Sequence, residues 1–253
     1  LTVTTSVGSD TETKANYITV HSTPWDPMPV NLAMWSVETK VPDYVNILFQ
    51  ALDRNRKGIV NLDTEDFGVE EDGAMLSPTE SFAEVFKRDQ LPYTFYTVLV
   101  LDVSASIGTN LDDIKSAAKT IVENMTGTQQ VAVYSFSEQI EEVIDFTDID
   151  GMQDILDAID SITLGYPATN LYEAAIAGLE RWTDRYELGG ITQGALVLFT
   201  DGRDTSGSYS PNDVLNARGN KRVYTIGTGE EIEPDVLQSF GNAGCFPLTD
   251  FGE

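Results

Sequence analysis

The chain has 253 residues and carries 41 acidic against 15 basic side chains, a net charge of −26, with apolar content sufficient for one large domain or two ordinary ones. That balance repels nucleic acid and anionic membrane and favours cations, while a single cysteine, Cys245, excludes an intrachain disulfide and any cysteine cluster for zinc or iron–sulfur. No apolar run approaches the roughly 20 residues of a membrane helix, and no basic-then-apolar leader opens the chain, so membrane insertion is not expected here and an export signal would lie outside these residues.

Residues 1–20, LTVTTSVGSDTETKANYITV, alternate on both sides of Val7–Asp10 and read as two strands around a tight turn. A lone hairpin is marginal in water and needs further sheet. This stretch resembles the last hairpin of a PKD-type repeat, an extracellular β-sandwich module, which implies a piece of a longer protein. Residues 21–29, HSTPWDPMP, hold three prolines and read as a semi-rigid linker with His21 exposed in it. From residue 30 to residue 92, the segments VNLAMWSVETK, DYVNILFQALD, GIVNL and FGVEEDG are β-rich and separated by turn residues. They resemble the Ig-like strands that precede the main domain of some bacterial surface proteins, which implies a small β-sandwich.

Asp53 opens a stretch, DRNRKGIVNLDTE, with Asp, Asn and Gly at the first, third and sixth positions of an EF-hand loop. Lys57 and Thr64 stand at the fifth and twelfth positions, where that loop needs an oxygen ligand and its bidentate Glu. A hairpin turn is the better reading.

From residue 93 to residue 253 strands alternate with helices. FYTVLVLD is a continuous apolar run suited to a buried parallel strand, and NLDDIKSAAKTIVENM has apolar residues at helical spacing. QVAVYSFS and QIEEVIDF are joined by so short a turn that they must pair antiparallel, at an edge. MQDILDAIDSI and NLYEAAIAGLERWTDRY read as helices, GALVLFTD and KRVYTIGTG as buried strands, EPDVLQSFGN as a helix and CFPL as a last short strand. The expected architecture is α/β, a Rossmann-like, doubly wound, mostly parallel sheet with one antiparallel edge strand, preceded by the small β-sandwich.

In such sheets ligands bind beyond the carboxyl ends of the strands near the switch point. Three features converge there: Asp102, Ser104 and Ser106 after the first apolar strand, Thr169 just before a helix, and Asp201 at the end of LFTDG. Three oxygen-bearing side chains at a strand end could cap a helix, activate a nucleophile or hold a hard cation. Carboxylates and hydroxyls without His or Cys select Mg²⁺ or Mn²⁺, with Ca²⁺ as a further candidate. Singly, each residue has a blander reading: Thr169 as a helix N-cap, Ser104 and Ser106 as loop serines, Asp112 and Asp204 as rim charges or helix-start residues. Trp182 reads as core, and Cys245 as a small hydrophobe without an adjacent base.

With DVSAS, ATNL and FTDG in this order, Phe95 to Glu253 resembles a von Willebrand factor type A domain with a metal-ion-dependent adhesion site (MIDAS). The resemblance implies that Ser104, Ser106 and Thr169 offer hydroxyls to a divalent metal, and that Asp102 and Asp201 bind it directly or through water. Two carboxylates leave such a metal short of negative ligands, so a Glu or Asp carboxylate of a protein partner is the expected occupant of the open position. The implied function is metal-dependent adhesion by an extracellular or cell-surface protein, without catalysis. Two other classes compete. An intramolecular scaffold would bind neighbouring domains of its own polypeptide. Phosphoryl transfer through an aspartyl-phosphate is disfavoured, since DVSAS lacks a second acidic residue two positions on and TIGTGEE lacks the Lys of a P-loop.

Overall fold

The computed structural model describes residues 2–5, 8–11, 18–22, 30–40, 44–77, 79, 82, 84–187, 189–228 and 234–248. The chain divides into two compact units, one formed by Leu1–Pro92 with Tyr186–Ile191, the other by Tyr93–Arg185 with Thr192–Glu253.

In the first unit β1 (Thr2–Thr5) pairs antiparallel with β2 (Gly8–Thr11). The hairpin is therefore shorter than expected, and Gly8 to Asp10, read from sequence as turn, lie in β2. Residues 18–20 belong elsewhere: β3 (Ile18–Ser22) pairs with β6 (Phe67–Glu71), which in turn pairs with β7 (Ala74–Met75). A division at residue 20 would cut through β3, and His21 is a strand residue opposite Gly68, not part of a linker. Residues 23–29 lie outside the described residues. Alternation alone cannot tell a local hairpin partner from a distant one, since both leave the same period of two. The strands β4 (Asn31–Lys40) and β5 (Tyr44–Leu52) form a long antiparallel ribbon with a register shift between Met34 and Ser36. Phe49 of β5 meets Phe67 of β6 edge to face at 5.1 Å.

GIVNL is not a strand; Gly58 makes only an isolated bridge to Leu52. Between them Asp53 closes a tight turn, its Oδ1 accepting the backbone N–H groups of Asn55 and Lys57 at 2.8 Å each. The carboxylate that an EF-hand would give to calcium is occupied by its own backbone.

A seven-stranded sheet, within the second unit except for Tyr186–Ile191, runs in the order β10-β9-β8-β12-β13-β14, with β11 (Arg185–Glu187) on β12. The strands are β8 (Tyr93–Asp102), β9 (Gln129–Phe136), β10 (Ile140–Thr147), β12 (Gly190–Thr200), β13 (Arg222–Thr228) and β14 (Gly244–Leu248). β8–β9, β12–β13 and β13–β14 are parallel, and β10 is the antiparallel edge strand expected from the short connection. Chain order runs outward from β8 to β10, then restarts on the other side of β8 at β12. The switch point therefore falls between β8 and β12.

Both faces are covered. Leu99 and Leu101 of β8 enter one apolar cluster with Ile114, Ala118 and Val122 of α1 (Leu111–Glu123) and Ile155 and Ile159 of α2 (Met152–Ser161). Val98 and Val100 point the other way, into a cluster with α3 (Leu171–Leu179), α4 (Pro211–Arg218) and α5 (Pro234–Phe240). Alternate residues of one strand thus feed two cores, which explains the unbroken apolar run.

Two helices differ from expectation. α3 stops at Leu179 rather than continuing to Tyr186. The Lys221 ammonium donates to the carbonyls of Leu179 and Trp182 and lies 4.8 Å from the Trp182 ring. Asp184 accepts from the Trp182 indole N–H at 2.9 Å and from the Gly194 N–H at 3.1 Å. These partners satisfy the helix end and turn the chain into β11; Trp182 is core, as expected, but sits after the helix. α4 is a helix that sequence reading passed over, although its signals are local: Pro211 at the first turn and a reciprocal Ser210–Asp213 capping box. Cys245 is half-buried on the edge strand β14, packed on the apolar cluster of the α3 face.

Candidate metal centre

Asp102 ends β8 and Thr200 ends β12, so the two strands beside the switch point deliver oxygen side chains to one place. Asp102 has no exposed surface. Its Oδ1 accepts the Ser104 backbone N–H at 2.9 Å, and its Oδ2 accepts the Thr200 hydroxyl at 2.7 Å. Ser104, equally buried, lies with its Oγ 3.0 Å from Ser106 Oγ, and the Ser106 hydroxyl donates to Asp201 Oδ1 at 3.0 Å. A continuous polar chain thus runs from Asp102 through Ser104 and Ser106 to Asp201, across loops 95 residues apart in sequence.

Thr169 arrives on a third loop. It is buried, and its Oγ1 is the nearest atom, at 3.7 Å, to the place a Cβ on Gly202 would occupy. Its backbone is held on both sides by Thr205: Thr169 N–H donates to Thr205 Oγ1 at 2.8 Å, and Thr205 N–H donates to Thr169 O at 2.9 Å. The expected N-cap is corrected by one residue, since Asn170 occupies that position in α3. Asp204 serves the same helix from a different loop, accepting the Tyr172 N–H at 3.3 Å. Asp112 lies in the first turn of α1, as expected.

Burial pushes the Asp102 carboxyl up to about 6; hydrogen bonds from Ser104 and Thr200 work against that rise and the Asp201 charge adds to it. A carboxylate held dry by neutral donors beside a second carboxylate is costly to keep ionised unless a cation offsets it. Among the described residues no cluster of three or more His, Cys, Asp or Glu side chains is arranged to hold a metal. What converges here is a different set, two carboxylates and three hydroxyls, and that set fits a hard divalent cation.

Of the five residues singled out from sequence, Asp102, Ser104, Ser106 and Asp201 are joined by hydrogen bonds, and Thr169 lies on the loop beside Gly202. Thr200 and Thr205 escaped the sequence reading. Thr200 stood inside the LFTDG motif, and its hydroxyl is the direct partner of Asp102. Thr205 carries no local signal, because its partner Thr169 is 36 residues away.

A doubly wound α/β unit with an oxygen-lined centre at its switch point is the class of protein that this fold and site define. The von Willebrand factor type A domain family matches residues 97–252, and the chain belongs to that family. No curated protein matches it. Among solved structures it is similar to proximal thread matrix protein 1 from the mussel byssus, in a form with a zinc-occupied MIDAS motif, at 24% identity and a TM-score of 0.55 over 64% of this chain and 43% of that one. It is also similar to a von Willebrand factor type A protein from Catenulispora acidiphila, at 21% identity and a TM-score of 0.52 over 63% and 39% of the two chains. BatB from Bacteroides thetaiotaomicron aligns at 13% identity with a TM-score of 0.51 over 62% and 91%. The chain thus spans less than half the length of the mussel and Catenulispora chains, and at these identities the likeness is one of fold.

Proposed function

We propose that the chain is a divalent-metal-dependent protein-binding module of a larger extracellular or cell-surface bacterial protein, used for adhesion and not for catalysis. The observation that carries this reading is the hydrogen-bonded series Asp102–Ser104–Ser106–Asp201, with Thr169 beside it. In this reading Asp102, Ser104, Ser106, Thr169 and Asp201 hold Mg²⁺ or Mn²⁺, with Ca²⁺ as a weaker candidate. When bound, the cation supplies an open coordination position for a Glu or Asp carboxylate of the partner. The chain's own contribution is to hold its donors in place before binding. Asp102 is fixed by Ser104 and Thr200, and the 200–206 loop holds Thr169 through Thr205, so little ordering remains to be done. The family membership and the zinc-occupied MIDAS of the mussel protein support the reading. The Ig-like character of the β-rich residues 30–92 belongs to the same proposal and would place the module in a multidomain surface protein.

Calorimetry with Mg²⁺ and Mn²⁺ tests it. One high-affinity site is expected on the full chain, lost in the double variant Asp102→Ala, Ser104→Ala. Unchanged stoichiometry and affinity in that variant would remove the assignment. Calcium competition belongs in the same experiment, because so acidic a surface binds calcium elsewhere.

A further inference from the structure

The second unit also holds an open cavity of about 550 Å³, bounded by the β9–β10 hairpin and the segment that follows α2. On β9 the alternation that turns Val131 and Val133 to the face covered by α1 and α2 puts Ser135 and Ser137 on that face too. Ser135 stands opposite Glu141 of β10. The two serines, 7% and 4% exposed, form the cavity floor with buried Val103 and Ile162. Exposed side chains make its rim: Gln139 and Glu141 from the hairpin, Thr163 and Tyr166 from the segment after α2.

Hydrogen bonds hold the two sides together. Tyr166 N–H donates to Ser137 Oγ at 3.1 Å, Gly165 N–H to Val103 O at 2.7 Å, and Ser137 N–H to Gln139 O at 3.0 Å. The cavity is therefore formed before anything enters it, which lowers the ordering cost of binding.

Its lining excludes most classes of ligand. Among the described residues that line it there is no Lys, Arg, His or Cys. A phosphate, sulfate or carboxylate would find no counter-charge there, in a chain of net charge −26. One carboxylate, Glu141, is too few charged donors for a metal. A wholly apolar ligand would strip water from the hydroxyl and amide groups without replacing its hydrogen bonds. A cationic group can only donate, whereas the Ser, Thr and Gln side chains both donate and accept. The ligand that matches is neutral, carries several hydroxyls and has an apolar side: its hydroxyls donate to Glu141 and exchange hydrogen bonds with Gln139 and Thr163. Its C–H face packs on the ring of Tyr166, which is 58% exposed at the rim.

We propose that this cavity binds a neutral saccharide unit, with Glu141 and Gln139 as its main hydrogen-bond partners and Tyr166 as its packing surface. The volume falls within the roughly 300–1,000 Å³ of ordinary small-molecule clefts. No cation takes part, so the site stands apart from the metal-dependent reading of the Asp102 centre and goes beyond it.

The test is an amide-resolved NMR titration of the full chain with the methyl glycosides of glucose, galactose, mannose and N-acetylglucosamine. Glucuronate and glucosamine serve as anionic and cationic counterparts, and each titration is run in Mg²⁺ and in EDTA. At least one neutral glycoside should shift the amides of residues 137–143 and 161–166 saturably, and equally in the two conditions. It should bind about fivefold more tightly than glucuronate, whose charge meets Glu141. Tyr166→Ala and Glu141→Ala, both at exposed positions, should each weaken binding about fivefold, the worth of one ring contact or one net hydrogen bond, with the circular dichroism spectrum unchanged. No saturable shift from any neutral glycoside, an affinity unchanged in both variants, or tighter binding of glucosamine would overturn the proposal. Shifts that need Mg²⁺ and centre on residues 102–106 would also overturn it, by moving the saccharide to the metal centre. Failure of the metal reading shows itself separately, in calorimetry of Mg²⁺ without saccharide.

Discussion

Asp201 is the residue on which binding and folding separate most cleanly. It is half-buried at the mouth of the centre and accepts the Ser106 hydroxyl, whereas Asp102 is embedded in the sheet with Thr200. Asp201→Ala should abolish metal-dependent partner binding and leave the circular dichroism spectrum unchanged, because one of two charged donors is lost and a partner carboxylate would then face Asp102 unscreened. Binding that survives both Asp201→Ala and EDTA would move the interaction to another face and favour the scaffold reading. Gly165 tests the positioning of the neighbouring loop. A Cβ there would lie 2.5 Å from Ser137 Oγ and 2.9 Å from Ser137 Cβ. Gly165→Ala should cost about 1–3 kcal/mol in chemical denaturation, and combining it with Ser137→Gly should recover part of that loss through direct coupling.

At the scale of elements, the outer strand β10 and the helix α3 depend on contacts that reach them from elsewhere. Arg181 follows α3, pairs with Glu142 at 3.2 Å and with Asp145, and lies 5.5 Å from the ring centres of Tyr134 and Phe146. It therefore fastens an edge strand whose ladder to β9 is twice interrupted. Arg181→Leu should cost about 1 kcal/mol, the ion pairs being partly exposed and screened, and the β10 amides should exchange faster with solvent than those of β9. If β10 protection were unchanged, the strand would be held by its remaining ladder and by Val143 and Ile144 alone. At the other end of α3, Asp204→Ala removes an acceptor for the Tyr172 N–H, with an expected loss of about 1 kcal/mol, typical of an N-terminal cap. Because the 200–206 loop also holds Thr169, metal affinity should fall with it, which calorimetry on the variant would read directly.

For the whole molecule, the division into two compact units predicts two thermal transitions in the calorimeter. Only the transition of the unit containing Asp102 and Asp201 should move with Mg²⁺. The added stability is about 2.7 kcal/mol when free metal is 100-fold above its dissociation constant. A single transition, or an equal shift of both, would contradict independent units. The net charge of −26 makes the compact state self-repelling, so sodium chloride should raise both midpoints before any metal is added, by screening.

Sequence by itself determined most elements of the second unit and singled out Asp102, Ser104, Ser106 and Asp201, which the fold links by hydrogen bonds. The apolar run ending at Asp102, the short β9–β10 connection and the order of DVSAS, ATNL and FTDG are local patterns whose periods and spacings leave little freedom. Helix α4 was equally legible in its Ser210–Pro211–Asp213 start. Other features were decided only in three dimensions. The partner of β3 is β6, almost 50 residues on, and alternation does not carry an address. α3 ends where Lys221 reaches its carbonyls, although its own residues continue the helical pattern. Thr205 became part of the centre because it meets Thr169 across 36 residues. Period and local turn chemistry act between near neighbours and so can be read in order along the chain. Caps, clamps and cavities are made by residues that only the folded sheet brings together.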